Sequence, residues 1–150
     1  MKNTTVRLTK QFHFEMAHAL YGYDGPCKNI HGHSYELSVT VIGKPLADKK
    51  NPKNGMVMDF ADLKKIIDEH IVKKFDHSLV LNINSPHKNF AVKNLLLGNV
   101  IMLKTQPTCE NIVIYFAEII QRNLSGRVKL HHLKLRETKN SYAEWFAEDN

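Results

Sequence analysis

Two stretches of strict alternation constrain this chain more than any other feature. From about Thr5 to Ala19, the residues Val6, Leu8, Phe12, Phe14 and Met16 share one parity, and Arg7, Thr9, Gln11, His13 and Glu15 share the other. From about His31 to Gly43, the set His31, His33, Tyr35, Leu37, Val39 and Val41 alternates with Ser34, Glu36, Ser38 and Thr40. A period of two puts each set on its own face of a strand, so both segments predict strands with one buried and one polar face. The turn-forming run Tyr21-Gly22-Tyr23-Asp24-Gly25-Pro26 lies between them. If the strands pair as a hairpin, His18 comes to lie beside His31 and His33.

Beyond the polar connection from Lys44 to Gly55 the period changes. Asp59 is suited to cap a helix whose apolar side carries Phe60, Leu63, Ile66, Ile67, Ile71 and Phe75. Thr108, preceded by Pro107, caps a second helix that buries Ile112, Val113, Phe116, Ile119, Ile120 and Leu124 and is closed by Gly126. Between the helices Ser85-Pro86 is a turn, and Asn94 to Lys104 reads as a short strand or as part of a loop. Two final strands, about Val128 to Glu137 and Tyr142 to Phe146, are joined by the turn Lys139-Asn140-Ser141. The order predicts a single α+β domain over residues 1–150, an antiparallel four-stranded sheet with two helices on one face. Its two open edges predict a homo-oligomer.

Several classes are excluded or disfavoured. A chain of 150 residues suits one core. It has no run of about 18 apolar residues, so no membrane span is expected. The polar start Met1-Lys2-Asn3-Thr4-Thr5 lacks a signal-peptide pattern, so a cytoplasmic location is expected, with Cys27 and Cys109 as free thiols. The net charge of +6 is carried in short pairs such as Lys49-Lys50, Lys64-Lys65 and Lys73-Lys74. That distribution reads first as a solvated basic surface, and otherwise fits a small anionic substrate better than nucleic acid.

The chemistry concentrates around His18 and Cys27-Lys28-Asn29-Ile30-His31-Gly32-His33. Positions i and i+2 of a strand point the same way, so His31 and His33 present two imidazoles side by side. A third from His18 completes a set that leaves one tetrahedral position open, the catalytic pattern for zinc, although imidazole also suits iron, copper and nickel. Beside a cation, Cys27 would act as base, nucleophile or fourth ligand; away from one it is an inert thiol. Asp76-His77 pairs a carboxylate with an imidazole, as a proton relay requires. Several of the nine histidines, such as His13, His87, His131 and His132, read as solvated side chains, and Cys109 as structural.

These residues, in this order, resemble the family of 6-pyruvoyl-tetrahydropterin synthase and its bacterial relative, the 6-carboxytetrahydropterin synthase of the queuosine pathway. The resemblance runs through Phe14-Glu15-Met16-Ala17-His18, Cys27-x-x-x-His31-Gly32-His33-Ser34-Tyr35 and Gly55-Met56-Val57-Met58-Asp59-Phe60. It continues through Asp76-His77 with Leu81-Asn82, Pro107-Thr108-Cys109-Glu110-Asn111, and Glu137-Thr138 with Tyr142. It implies Zn2+ on His18, His31 and His33, with Cys27 as general base and Asp76 and His77 as relay. It also implies Glu137 as pterin anchor, with Thr108 and Glu110 lining the pterin pocket. The implied fold is the tunnelling fold, in which trimers close their sheets into a barrel and two trimers stack as a hexamer. The implied reaction converts 7,8-dihydroneopterin triphosphate to 6-carboxytetrahydropterin, acetaldehyde and triphosphate. The alternatives are the pyruvoyl product of tetrahydrobiopterin synthesis or a non-catalytic metal- or pterin-binding module, which has no use for Cys27 and His77. Two departures stand out: Ala19-Leu20 occupies a place where many relatives carry arginine, and the segment from Ser85 to Gln106 is long.

Overall fold

The computed structural model describes residues 4–89 and 97–150. Six strands, β1 (Val6–His18), β2 (His31–Gly43), β3 (Ser78–Asn82), β4 (Val100–Leu103), β5 (Val128–Thr138) and β6 (Ser141–Phe146), form one sheet in the order β4-β3-β1-β2-β5-β6. Among the described residues the two longest α-helices are α1 (Phe60–Ile67) and α2 (Cys109–Asn123). The α+β class and the hairpins at both ends stand as expected. β1 pairs antiparallel with β2 over its whole length, setting Phe14 opposite Tyr35, Met16 opposite His33 and His18 opposite His31.

The sheet corrects the expectation in two respects, having six strands rather than four and being mixed rather than wholly antiparallel. β3 runs parallel to β1, and β4 parallel to β3. The residues of β3 are buried throughout: Val80 joins the main core, and Leu79 and Leu81 pack with Ala19 in a second cluster. A strand covered on both sides shows no alternation to read. β4 falls within the ambiguous stretch 94–104, of which 94–96, like the centre of the 85–106 segment, lie outside the described residues.

The helices cover one face of the sheet. Phe12, Phe14, Leu37, Val39, Leu133 and Leu135 from the strands share a core with Leu63, Ile67, Ile112, Phe116 and Ile120. Asp59 caps α1 by accepting from the Ala61 N–H at 2.8 Å, and Thr108 caps α2 by accepting from the Asn111 N–H. α1 continues through a π-helical segment, Asp68–Val72, into a last turn, Lys73–Phe75. Leu63, Ile67, Ile71 and Phe75 recur every fourth residue, which in a regular α-helix drifts about 40° per step. The wider π turn offsets that drift and keeps all four buried. Two details differ from expectation: Phe60 is half exposed, and α2 ends as Leu124 turns to extended backbone (ψ 144°), with Gly126 two residues further on.

Candidate metal centre

His18, His31 and His33 come from the ends of β1 and β2, on the face that carries the apolar core. One nitrogen from each lies within 4.8 Å of the others. The hairpin register produces this convergence by placing His18 directly across from His31 and His33 two pairs along, on the same face. Backbone carbonyls orient two of the rings. Nδ1–H of His18 donates to the Pro107 carbonyl at 2.7 Å, and Nδ1–H of His31 to the Asn29 carbonyl at 2.8 Å. That arrangement leaves Nε2 of each ring as the lone-pair donor, the tautomer a divalent cation needs. Burial lowers the pKa of both His18 and His33 below the ordinary imidazole value and favours the neutral, ligating form. The donor set and its tautomers therefore fit a bound metal ion.

Glu137 and Tyr35 complete the centre. A β-bulge leaves Glu137 unpaired between Arg136, opposite Tyr142, and Thr138, opposite Ser141. Bulges commonly re-aim a side chain beside a site. The Glu137 Oε1 lies 3.4 Å from His18 Nε2 and 3.8 Å from His33 Nε2, and it accepts a 2.9 Å hydrogen bond from the Tyr35 hydroxyl. Burial, followed by the Glu137 carboxylate, holds the Tyr35 phenol far above its ordinary pKa. Sequence reasoning missed Tyr35, although its place two residues after His33 on the same strand face was a usable signal.

The other expected site residues come from other elements. Cys27 sits in a 3-10 turn, Pro26–Lys28, with its thiol half-buried and unpaired with Cys109. Its carbonyl accepts from the Leu20 N–H at 2.9 Å, which closes the loop between β1 and β2. Asp76 and His77 do pair, His77 Nδ1 lying 3.1 Å from Asp76 Oδ1 in an exposed contact. The Asp76 carboxyl is held below its ordinary pKa, chiefly by accepting the Glu15 N–H at 2.9 Å. His77 adopts a positive φ of 57°, and its N–H donates to the Glu15 carbonyl. His77 borders a cavity of about 480 Å³ lined also by Glu15, Ala17, Gly32 and Ser34 and, from the other parity, by Met16 and His33.

Thr108 and Glu110 stand at the head of α2. The Thr108 hydroxyl caps α2, and Glu110 borders a cleft of about 230 Å³ against Ala143 and Trp145 of β6. From this segment it is the Pro107 carbonyl that touches the centre. Burial pushes the Cys109 thiol up to about 12, consistent with its structural reading. Of the histidines expected to be solvated, His132 is instead stacked on Phe146 at 4.3 Å and lies 3.1 Å from Glu144. His131 accepts from Arg7. Among the described residues no helix is long and apolar enough to cross a membrane.

A three-histidine cluster with an adjacent carboxylate, on a one-sided α+β sheet, defines a scaffold that could hold a metal ion. Comparison with known proteins gives the family. The profile described as 6-pyruvoyl tetrahydropterin synthase matches residues 7–148, and the chain belongs to this family of pterin synthases. A Haemophilus influenzae protein named 6-carboxy-5,6,7,8-tetrahydropterin synthase is 30% identical over 141 residues, covering 93% of this chain and 97% of the relative. A Pyrococcus furiosus protein named dihydroneopterin monophosphate aldolase is 34% identical over 131 residues, covering 87% of this chain and 89% of its own. The Caenorhabditis elegans 6-pyruvoyl tetrahydropterin synthase structure shares the fold, with a TM-score of 0.70 at 23% identity over 98% of this chain and 99% of that one.

Proposed function

We propose that this chain is a zinc-dependent lyase that converts 7,8-dihydroneopterin triphosphate to 6-carboxy-5,6,7,8-tetrahydropterin, releasing acetaldehyde and triphosphate. The observation that carries this reading is the convergence of His18, His31 and His33 beside the Glu137 carboxylate. The name of the Haemophilus influenzae relative supports it. Zinc, when bound, would supply Lewis-acid polarisation of substrate oxygens. His18, His31 and His33 would hold it through Nε2. The Glu137 carboxylate would accept adjacent N–H donors of the pterin ring in parallel, a geometry that fixes orientation as well as affinity. Cys27, as thiolate, would take the side-chain proton, with Thr108 and Glu110 at the head of α2 bordering the pterin.

Asp76 and His77 would relay protons, yet within one chain the cavity that His77 borders is lined chiefly from the polar parity of β1 and β2, by Glu15, Ala17, Gly32 and Ser34, with His33 at its margin. In this reading they serve the centre of a second copy, brought near by pairing through the edge strands β4 and β6 of a hexamer built as two trimers. Refolding a mixture of Cys27→Ala and His77→Ala chains would then restore activity that neither variant has alone. A monomeric mass in light scattering at micromolar protein would contradict the assembly.

The Pyrococcus furiosus relative carries a different reaction name, and the pyruvoyl product remains the other outcome on this scaffold. Product analysis separates them. The metal-loaded protein is incubated anaerobically with 7,8-dihydroneopterin triphosphate and the products are read by mass spectrometry. Carboxytetrahydropterin with acetaldehyde is expected. A pyruvoyl or simple aldol product reassigns the reaction, and unchanged substrate refutes the lyase.

A further inference from the structure

Tyr35 has so far appeared only as a donor to Glu137, but its hydroxyl stands where the state of the metal centre is decided. The carboxylate oxygen it holds, Oε1, is the same atom that lies 3.4 Å from His18 Nε2 and 3.8 Å from His33 Nε2. The hydroxyl itself is 3.5 Å from His18 Nε2. Glu137 is therefore within a small side-chain rotation of becoming a fourth protein ligand. A carboxylate so bound would close the position a substrate oxygen needs and would no longer be free to receive a substrate N–H.

Tyr35 is fixed well enough to prevent this. It is fully buried, stacked on Phe14 at 5.4 Å and 8°, and set edge-on to His33 at 5.6 Å and 86°. A buried hydroxyl keeps its hydrogen bond because leaving the partner unsatisfied is costly. Such outer partners of a metal site tune what the ligands do. Resting on the metal-centre reading above, we propose that Tyr35 is a positioning residue whose hydroxyl restrains Glu137 outside the coordination shell and so keeps the three-histidine centre open.

The test uses the full chain loaded with cobalt(II) alone, whose visible absorption reports coordination number and ligand type. Tyr35→Phe removes one oxygen from a stacked ring and keeps its shape, and far-UV circular dichroism confirms the fold. Three spectra decide. Glu137→Gln in the native background should leave the cobalt spectrum unchanged, because the carboxylate is not a ligand. Tyr35→Phe should shift and weaken the bands as the carboxylate enters the shell. Adding Glu137→Gln to Tyr35→Phe should return the native spectrum. With substrate, Tyr35→Phe should keep its metal and lose about 10- to 100-fold in kcat/KM. A Tyr35→Phe spectrum identical to the native one overturns the proposal, as does a Glu137→Gln spectrum altered in the native background. A native chain that takes up no cobalt overturns the metal-centre reading, and the role of Tyr35 falls with it.

Discussion

Replacing His77 should make the protein more stable or leave its stability unchanged according to the substitute, while abolishing turnover in either case. His77 holds a left-handed φ of 57°, which costs a residue with a Cβ about 1–2 kcal/mol. Its side chain is 79% exposed and its contact with Asp76 is at the surface, so removing the imidazole forfeits little packing. The backbone bond from His77 N–H to the Glu15 carbonyl is kept by any residue except proline. Glycine adopts this φ without the Cβ penalty, at the expense of greater freedom in the unfolded chain, roughly 0.5–1 kcal/mol. His77→Gly should therefore gain a few tenths to about 1 kcal/mol over the native chain, whereas His77→Ala keeps the strain and gains nothing. In urea, with a slope of about 2 kcal/mol/M, the two variants should differ by roughly 0.1–0.5 M in midpoint at equal slope. If His77→Ala matches or exceeds His77→Gly, the backbone at this position is not strained and the argument fails. Turnover retained in both variants would remove His77 from the chemistry.

Other perturbations test separate parts of the account. Cys27→Ala should keep its metal and lose turnover, and unchanged activity would refute its role as base. Phe116 is fully buried between Phe14 and Phe75, so Phe116→Ala should cost about 3–5 kcal/mol in chemical denaturation, and a cost below about 1 kcal/mol would contradict the packing. The Asp76 carboxyl is held below its ordinary pKa by the Glu15 N–H, so it adds stability above the unfolded-state value and loses it as pH falls through the folded-state value. The stability gap between the native chain and Asp76→Asn should thus be steady near neutrality and shrink below about pH 4. A gap that widens on acidification would reverse the sign of the argument.

What was legible in the sequence follows from where periodicity survives folding. β1, β2, β5 and β6 each keep one face on the core, so their alternation predicted them and the pairing of β1 with β2 set the three histidines together. The caps Asp59 and Thr108 were legible because an oxygen-bearing side chain ahead of an apolar stripe has a specific local partner. β3 was not, since burial on both sides erases the pattern and its parallel pairing with β1 depends on a crossover the local sequence does not encode. The centre divides the same way. His18, His31 and His33 lie on one hairpin, whereas the Pro107 carbonyl that orients His18 is 89 residues away and contributes no side chain to notice. Asp76 and His77 were readable as a pair, but not the cavity that His77 borders, because that depends on how β3 enters the sheet.

The central claim is that one zinc ion sits on His18, His31 and His33, and elemental analysis of the purified chain tests it most directly. The native protein should carry about one zinc per chain, and His31→Ala and His33→Ala should each lose it while keeping their circular dichroism, as expected for a three-ligand site. Full metal occupancy in both variants, or a folded native chain that binds no metal when zinc is supplied, would contradict the account.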